Sequence, residues 1–194
     1  MMQELAIFDF DGTLTRKDTF VEFAKFAIGK KKTFFSLFLF SPLLVAMKLH
    51  LIDNSWLKQR LFSFLYRGMP YLQFKENGKL FANIITSFEN SETLTMLEEK
   101  QSHNAIIVII SASIYEWVQP WCELHNIDNV ICTHVAVKNN LLTGIFSTPN
   151  CHGKEKVVRL KDIFGDLTKY QITACGDSRG DRELFAIADQ SFKI

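Results

Sequence analysis

The sequence predicts an α/β protein: a parallel sheet flanked by helices, with an all-helical insertion after the first strand. Three observations lead there. The apolar runs at 5–8 and 105–110 read as buried strands, the second β-branched and unbroken as in a strand covered on both faces, and a further strand follows at 171–175. Helical spacing separates these runs, and strand-like alternation is absent between 16 and 103. With 194 residues, 47% of them hydrophobic, the chain can build one substantial core and carry a modest insertion. That apolar content, with only nine Gly and four Pro, excludes disordered and collagen-like classes.

The elements follow in order. The run at 5–8 ends in Asp9 and is broken by Asp11-Gly12-Thr13. Apolar spacing predicts helices over 18–29, where Asp18 is a good N-cap, and over 54–66, 70–88 and 91–103. The β-branched run at 105–110 is the second strand. A helix over 113–126 follows, which Pro120 should kink or divide. Stretches 129–137 and 141–148 read as strands joined across Asn139-Asn140, a hairpin signal. A helix over 153–164, the strand at 171–175 and a helix over 180–188 complete the pattern, and the last residues read as the start of a strand.

Charge is distributed unevenly. Lys and Arg number 22 against 21 Asp and Glu, and this near-neutral total argues against a general nucleic-acid binder. Yet residues 16–90 hold 12 basic and 5 acidic side chains, together with 12 of the 18 Phe. A basic, Phe-rich segment is set into an acidic remainder, which suggests two regions with different partners. Within it, 33–47 is uncharged, preceded by Lys30-Lys31-Lys32 and followed by Lys48. Fifteen residues interrupted by Ser36, Ser41 and Pro42 are too few to span a bilayer, which takes roughly 20. The expectation is a buried helix of the insertion; the alternative is a basic-flanked helix in peripheral contact with a membrane.

Cys122, Cys132, Cys151 and Cys175 are scattered, without a CxxC pair, and the start of the chain is acidic where a secretory leader is basic. The expectation is a cytoplasmic protein with reduced thiols, peripheral at the membrane if 33–47 makes that contact.

Chemistry concentrates at strand ends. Asp9 and Asp11 lie two apart at the C-terminal end of the first strand, so both carboxylates face one spot where open α/β sheets place their ligands. Two such carboxylates repel unless a proton or a hard cation such as Mg²⁺ intervenes. Gly176-Asp177 and Asp181 repeat the arrangement after the strand at 171–175 and supply a further acidic ligand. Ser111 at the end of the most apolar strand and Lys154 at a helix start offer the hydroxyl and ammonium that a phosphate needs from its other sides.

This order of motifs resembles the haloacid dehalogenase (HAD) superfamily: Asp9-Phe-Asp11-Gly-Thr13 its first motif, Ser111 its second, Lys154 its third and Gly176-Asp177-x-x-x-Asp181 its fourth. The resemblance implies a Rossmann-like three-layer core, 1–15 and 91–194, and a helical cap over 16–90. It implies Asp9 as nucleophile, Asp11 as acid and base, and Ser111 and Lys154 as phosphoryl-binding groups. Mg²⁺ would be held by Asp9, the backbone carbonyl of Asp11 and Asp177, with Asp181 either binding it directly or supporting those ligands, and Thr13 and the Ala112 amide would add hydrogen bonds.

Within the superfamily the chain is similar to the phosphoserine phosphatase group, in which the position of Asp18 meets substrate. It is also similar to bacterial phosphatidylglycerophosphatase C through the sequence around Lys154 and the basic, apolar start of the cap. Arg60 and Arg67 are candidate anion contacts from the cap. The implied substrate is a small anionic phosphomonoester or a phospholipid head-group phosphate, with no nucleic acid involved. The rival of another class is a phospho-accepting receiver module, which also clusters Asp, Ser/Thr and Lys on a parallel sheet but lacks the long helical insertion.

Overall fold

The computed structural model describes residues 2–194. Five parallel strands form the main sheet in the order β3-β2-β1-β6-β7. They are β1 (Gln3–Phe8), β2 (Ile106–Ile114), β3 (Asn129–Thr133), β6 (Tyr170–Gly176) and β7 (Gln190–Lys193). β1 lies at the centre, with Phe8 beside both Ile109 of β2 and Cys175 of β6. Leu5, Ala6, Ile7 and Phe8 are fully buried, as the unbroken apolar run requires of a strand with helices on both faces.

Between β1 and β2 the chain makes six helices. Five belong to the insertion: α1 (Thr19–Ala27), α2 (Lys30–Leu39), α3 (Ser41–Lys48), α4 (Asn54–Tyr66) and α5 (Tyr71–Ile85); α6 (Ser91–Ser102) returns to the sheet. Asp18 caps α1 through the Val21 N–H, and Asp53 caps α4 through the Trp56 N–H. The chain leaves and rejoins the sheet side by side: Arg16 N–H donates to Phe88 O at 2.8 Å and Asn90 N–H to Leu14 O at 2.8 Å.

The insertion and the sheet share one apolar core. Phe23 of α1 stacks on Trp117, ring centroids 4.4 Å apart, and meets Phe74 and Phe81 of α5 edge-on. Phe10, just past β1, packs edge-on against Trp121 at 4.9 Å. Burying each such ring contributes about 2–3 kcal/mol. A second cluster, including Leu5, Ile7, Ile110 and Leu160, fills the opposite face of the sheet. All four cysteines are buried and unpaired.

Four elements differ from the sequence reading. The stretch 129–137 is two strands: β3 joins the main sheet, and β4 (Val135–Lys138) pairs antiparallel with β5 (Leu141–Phe146). Asn139 and Asn140 turn that hairpin with φ of 52° and 60°. The hairpin packs against the insertion, with Gly68 N–H donating to Leu142 O and Leu142 N–H to Met69 O. Pro120 does not divide α7 (Tyr115–Leu124), which runs through it as one helix. It only denies a partner to the Glu116 carbonyl, against which Gly78 lets α5 lie closely, since a side chain there would collide with that oxygen.

The segment 33–47 is not one buried helix. Pro42 at the start of α3 breaks it, and Phe34, Phe35, Phe38, Leu39 and Val45 face outward. The predicted helix over 180–188 shrinks to a 3-10 turn and the short α9 (Arg182–Phe185), because Ser178 and Asp181 cap each other across the turn. The remaining helix, α8 (Lys154–Phe164), lies within its predicted range.

Candidate active site

Asp9 stands just past β1, its N–H donating to Cys175 O of β6 at 2.9 Å, which locks the two strand ends together. Asp177 follows the end of β6, and Asp181 is fully buried beyond it. The loops meet at Gly12, whose φ of 79° suits glycine and where a Cβ would collide with the Asp177 carboxylate. Oxygens of Asp9, Asp177 and Asp181 all lie within 4.8 Å of one another.

Lys156 holds this acidic cluster together. Its Nζ donates to Asp9 Oδ1 at 2.5 Å and to Asp181 Oδ1 at 2.6 Å, with all three groups buried. Asp181 is braced further, since its Oδ2 accepts the Ser178 N–H at 3.1 Å and hydroxyl at 3.0 Å. Burial alone would depress the Lys156 pKa, but Asp9 and Asp181 raise it well above the ordinary value, so the ammonium stays charged. Burial pushes Asp9 up to about 7; Lys156 opposes this, while Asp181 and Asp11 add to it. Burial and Asp181 likewise raise Asp177. Three crowded carboxylates served by one ammonium are the hard-oxygen donor set that fits a divalent cation.

Asp11 is held apart from that cluster. Its Oδ1 accepts the Thr19 N–H at 2.8 Å, and its Oδ2 accepts the Ser113 hydroxyl. Thr19 Oγ1 lies 2.9 Å from Ser113 Oγ and accepts the Trp117 indole N–H at 3.1 Å. Both carboxylate oxygens are thus engaged by the protein, which leaves the Asp11 backbone carbonyl as the group that could hold a metal. Burial and the charge of Asp18 raise the Asp11 pKa, which favours a carboxyl that carries a proton.

The carboxylates open into a cleft of about 360 Å³. Asp9, Asp11, Asp177, Ser111, Ala112 and Lys156 line its polar end. Ser111 Oγ is buried and accepts the Ser113 N–H at 3.0 Å. Asp18 lines the rim while capping α1. Thr13 is buried beside the loop, and its hydroxyl has no partner among the described residues. At the other end Phe20, Leu37, Leu44, Met47, Leu57 and Leu61 make an apolar wall supplied by the insertion.

Four expected residues lie elsewhere: Thr13 is fully buried and does not line the cleft. Lys154 is exposed at the start of α8; Lys156, two positions on, shares the buried face of that helix with Leu160. The signal was a lysine four residues before Leu160, in phase with the apolar stripe. Arg60 is exposed and lies over the Trp56 ring at 5.3 Å, and Arg67 lines a separate surface groove.

The cation that the insertion does bring is Lys58, between the buried Leu57 and Leu61, its Nζ donating to Ala112 O at 2.8 Å. Burial lowers its pKa, with Asp11 and Asp18 pulling it back up. His152 and Asn150 also line the cleft. Asn150 is tied to Thr133 and to Ser55 of α4.

The haloacid dehalogenase-like hydrolase profile matches residues 6–186. Protein CicA of Caulobacter vibrioides (strain NA1000 / CB15N) is 32% identical over 190 residues, covering 96% of this chain and 83% of that protein. A Bordetella pertussis Tohama I protein of unknown function superposes with a TM-score of 0.82 at 15% identity, covering 100% and 90% of the two chains. A phosphoserine phosphohydrolase-like protein from Francisella tularensis subsp. tularensis SCHU S4 superposes with a TM-score of 0.74 at 18% identity, covering 98% and 87%. Sequence profile, strand order and the placement of the strand-end acids agree, and the receiver rival falls away: the chain belongs to the haloacid dehalogenase-like hydrolase family.

Proposed function

We propose that the protein is a Mg²⁺-dependent phosphatase that hydrolyses a phosphomonoester through an aspartyl-phosphate. The observation that carries this reading is the buried Lys156 bridging Asp9 and Asp181 beside Asp177, with Asp11 held separately on Thr19 and Ser113. One carboxylate is thereby presented as nucleophile, and another is kept as a proton carrier.

Asp9 attacks phosphorus, and the bond to the alcohol oxygen breaks as that oxygen takes the proton of Asp11. Water, deprotonated by the now ionised Asp11, then attacks the phosphorus of the aspartyl-phosphate; free phosphate leaves and Asp9 is regenerated. Lys156 fixes the attacking carboxylate and neutralises charge gathering on the phosphoryl oxygens, with the Ser111 hydroxyl beside them. Mg²⁺ on Asp9 and Asp177, with Asp181 braced beside them by Lys156 and Ser178, would offset the remaining negative charge.

For the substrate, the apolar wall of Phe20, Leu37, Leu44 and Met47 favours a phosphorylated lipid head group such as phosphatidylglycerophosphate. The second reading is phosphoserine or another small metabolite. It is favoured by Asp18 and Lys58 in the same cleft, an anion and a cation able to meet an amino acid's ammonium and carboxylate. The test is hydrolysis of p-nitrophenyl phosphate with Mg²⁺, lost with EDTA and in Asp9→Asn, followed by a panel containing phosphatidylglycerophosphate and phosphoserine. Turnover by Asp9→Asn overturns the mechanism, and a kcat/KM for phosphoserine above that for the lipid overturns the substrate.

A further inference from the structure

Helix α2 is inside out. Its buried residues are Thr33 and Ser36, whose hydroxyls donate back to the carbonyls of Gly29 and Lys32. Phe34, Phe35, Phe38 and Leu39 are instead 58%, 64%, 77% and 52% exposed. α3 buries no residue, and Val45, Leu49 and Leu51 extend the apolar exposure along and just past it. Six of the twelve insertion Phe fill the core; five of the others, including these three, face solvent. Large apolar side chains gathered on one exposed segment mark a surface that meets another phase or partner.

The surrounding charge selects the partner. Between 26 and 52 the chain has four lysines, Lys30, Lys31, Lys32 and Lys48, and no acid; Lys25 just before them is paired with Glu22. An open groove of about 700 Å³ beside α2 gathers Lys31, Lys32 and Arg67 with Phe35 and Phe64, and no acidic side chain lines it. Rings between unpaired cations match an anionic lipid surface: rings enter the acyl boundary while lysines reach head-group phosphates. Among the described residues no helix is long and apolar enough to cross a membrane, so contact would be made on the surface. The inward side of the same two helices supplies Leu37, Leu44 and Met47 to the catalytic cleft.

We propose that α2 and α3 dock the enzyme on an anionic bilayer, so that a phosphorylated head group reaches Asp9 past Leu37, Leu44 and Met47 without leaving the surface. The second clause rests on the lipid-substrate reading; the docking itself does not.

The test is co-sedimentation of the full chain with vesicles of phosphatidylcholine alone or mixed with phosphatidylglycerol, in parallel with p-nitrophenyl phosphate turnover. Binding is expected to the mixed vesicles only, falling about tenfold or more between 0.05 and 0.5 M salt, as charges separated by a short Debye length demand. Phe34→Asp/Phe38→Asp and, separately, Lys31→Glu/Lys32→Glu should each abolish it while p-nitrophenyl phosphate turnover stays within about twofold. An active parent that ignores the mixed vesicles at low salt overturns the proposal, as do variants that bind like the parent. Self-association that the Phe variants break would assign the surface to a second copy and overturn it too. Vesicle binding by a chain without phosphatase activity would leave docking standing and remove the proposed function instead.

Discussion

Lys156 Nζ lies 2.5 Å from Asp9 Oδ1, inside a site that leaves both side chains almost without solvent. The ammonium fixes the direction of the nucleophile and offsets the charge that Asp181 and Asp177 crowd around it. Truncating it leaves buried carboxylates unpaired, a change that costs about 3–5 kcal/mol in comparable settings. Lys156→Met should therefore lower p-nitrophenyl phosphate turnover by about a thousandfold or more and lower Tm. Lys154→Met, on the exposed side of α8, should leave kcat/KM within about twofold. Equal losses in the two variants would contradict the site.

Asp11 has two tasks in the proposed cycle, and an aryl leaving group needs only the second. Asp11→Asn keeps an amide oxygen to accept the Thr19 N–H and turns the contact with Ser113 into one donated by its NH2 to the hydroxyl oxygen, but it carries no acidic proton. With p-nitrophenyl phosphate, rapid mixing should give a burst of about one nitrophenolate per enzyme, then steady turnover slower by about 10²–10⁴. A trace without a burst would place Asp11 in the first step alone.

Lys58 carries the insertion's positive charge into the cleft, while Arg60 and Arg67 point it elsewhere. Lys58→Met preserves the alkyl stem between Leu57 and Leu61 and removes the charge. KM for the physiological phosphomonoester should rise about tenfold or more, with p-nitrophenyl phosphate much less affected; Arg60→Met should change neither. A matching rise with both substrates would make Lys58 a phosphoryl contact rather than a selector.

Glu116, which does not line the catalytic cleft, should set its own pH dependence of stability. Burial pushes it up to about 7, the backbone, Tyr71 and Lys75 offset only part of that, and its Oε2 has no partner among the described residues. Between the unfolded value of 4.5 and about 7 the folded state binds the extra proton, so stability falls as pH rises through that window. Urea unfolding should show the parent losing on the order of 2 kcal/mol from this group between pH 5 and 8, and Glu116→Gln losing correspondingly less. Identical pH profiles would show that Glu116 is ionised in the fold throughout.

Strand ends were legible in the sequence because buried parallel strands write themselves as unbroken apolar runs, and acids that follow such a run have few other roles. Asp9, Asp11, Asp177 and Ser111 all come to one cleft for that reason. The helical cations were misplaced, and in the same way. Lys154 stands two residues before Lys156, and Arg60 two residues after Lys58. Two residues turn a helix through about 200°, from the inner face to the outer. Motif spacing locates such a helix, but only the phase of its buried neighbours, Leu160 and Leu57, tells which cation faces the site. The division of 129–137 between two sheets was hidden for another reason: β3 and β4 have the same local propensity, and only tertiary pairing separates them.

The paired crossing of Leu14–Arg16 with Phe88–Asn90 bears on how such an enzyme changes over evolutionary time. Because the chain departs and comes back through one short ribbon, everything between can be lengthened, shortened or exchanged without shifting the strand that aims Asp9. Only Thr19, whose N–H holds Asp11, and the rings that cover Phe10 and Trp117 must be kept or replaced in kind. Reaction and appetite are thus inherited on separate terms, and a lineage can acquire a new substrate while its hydrolytic chemistry stays as it was.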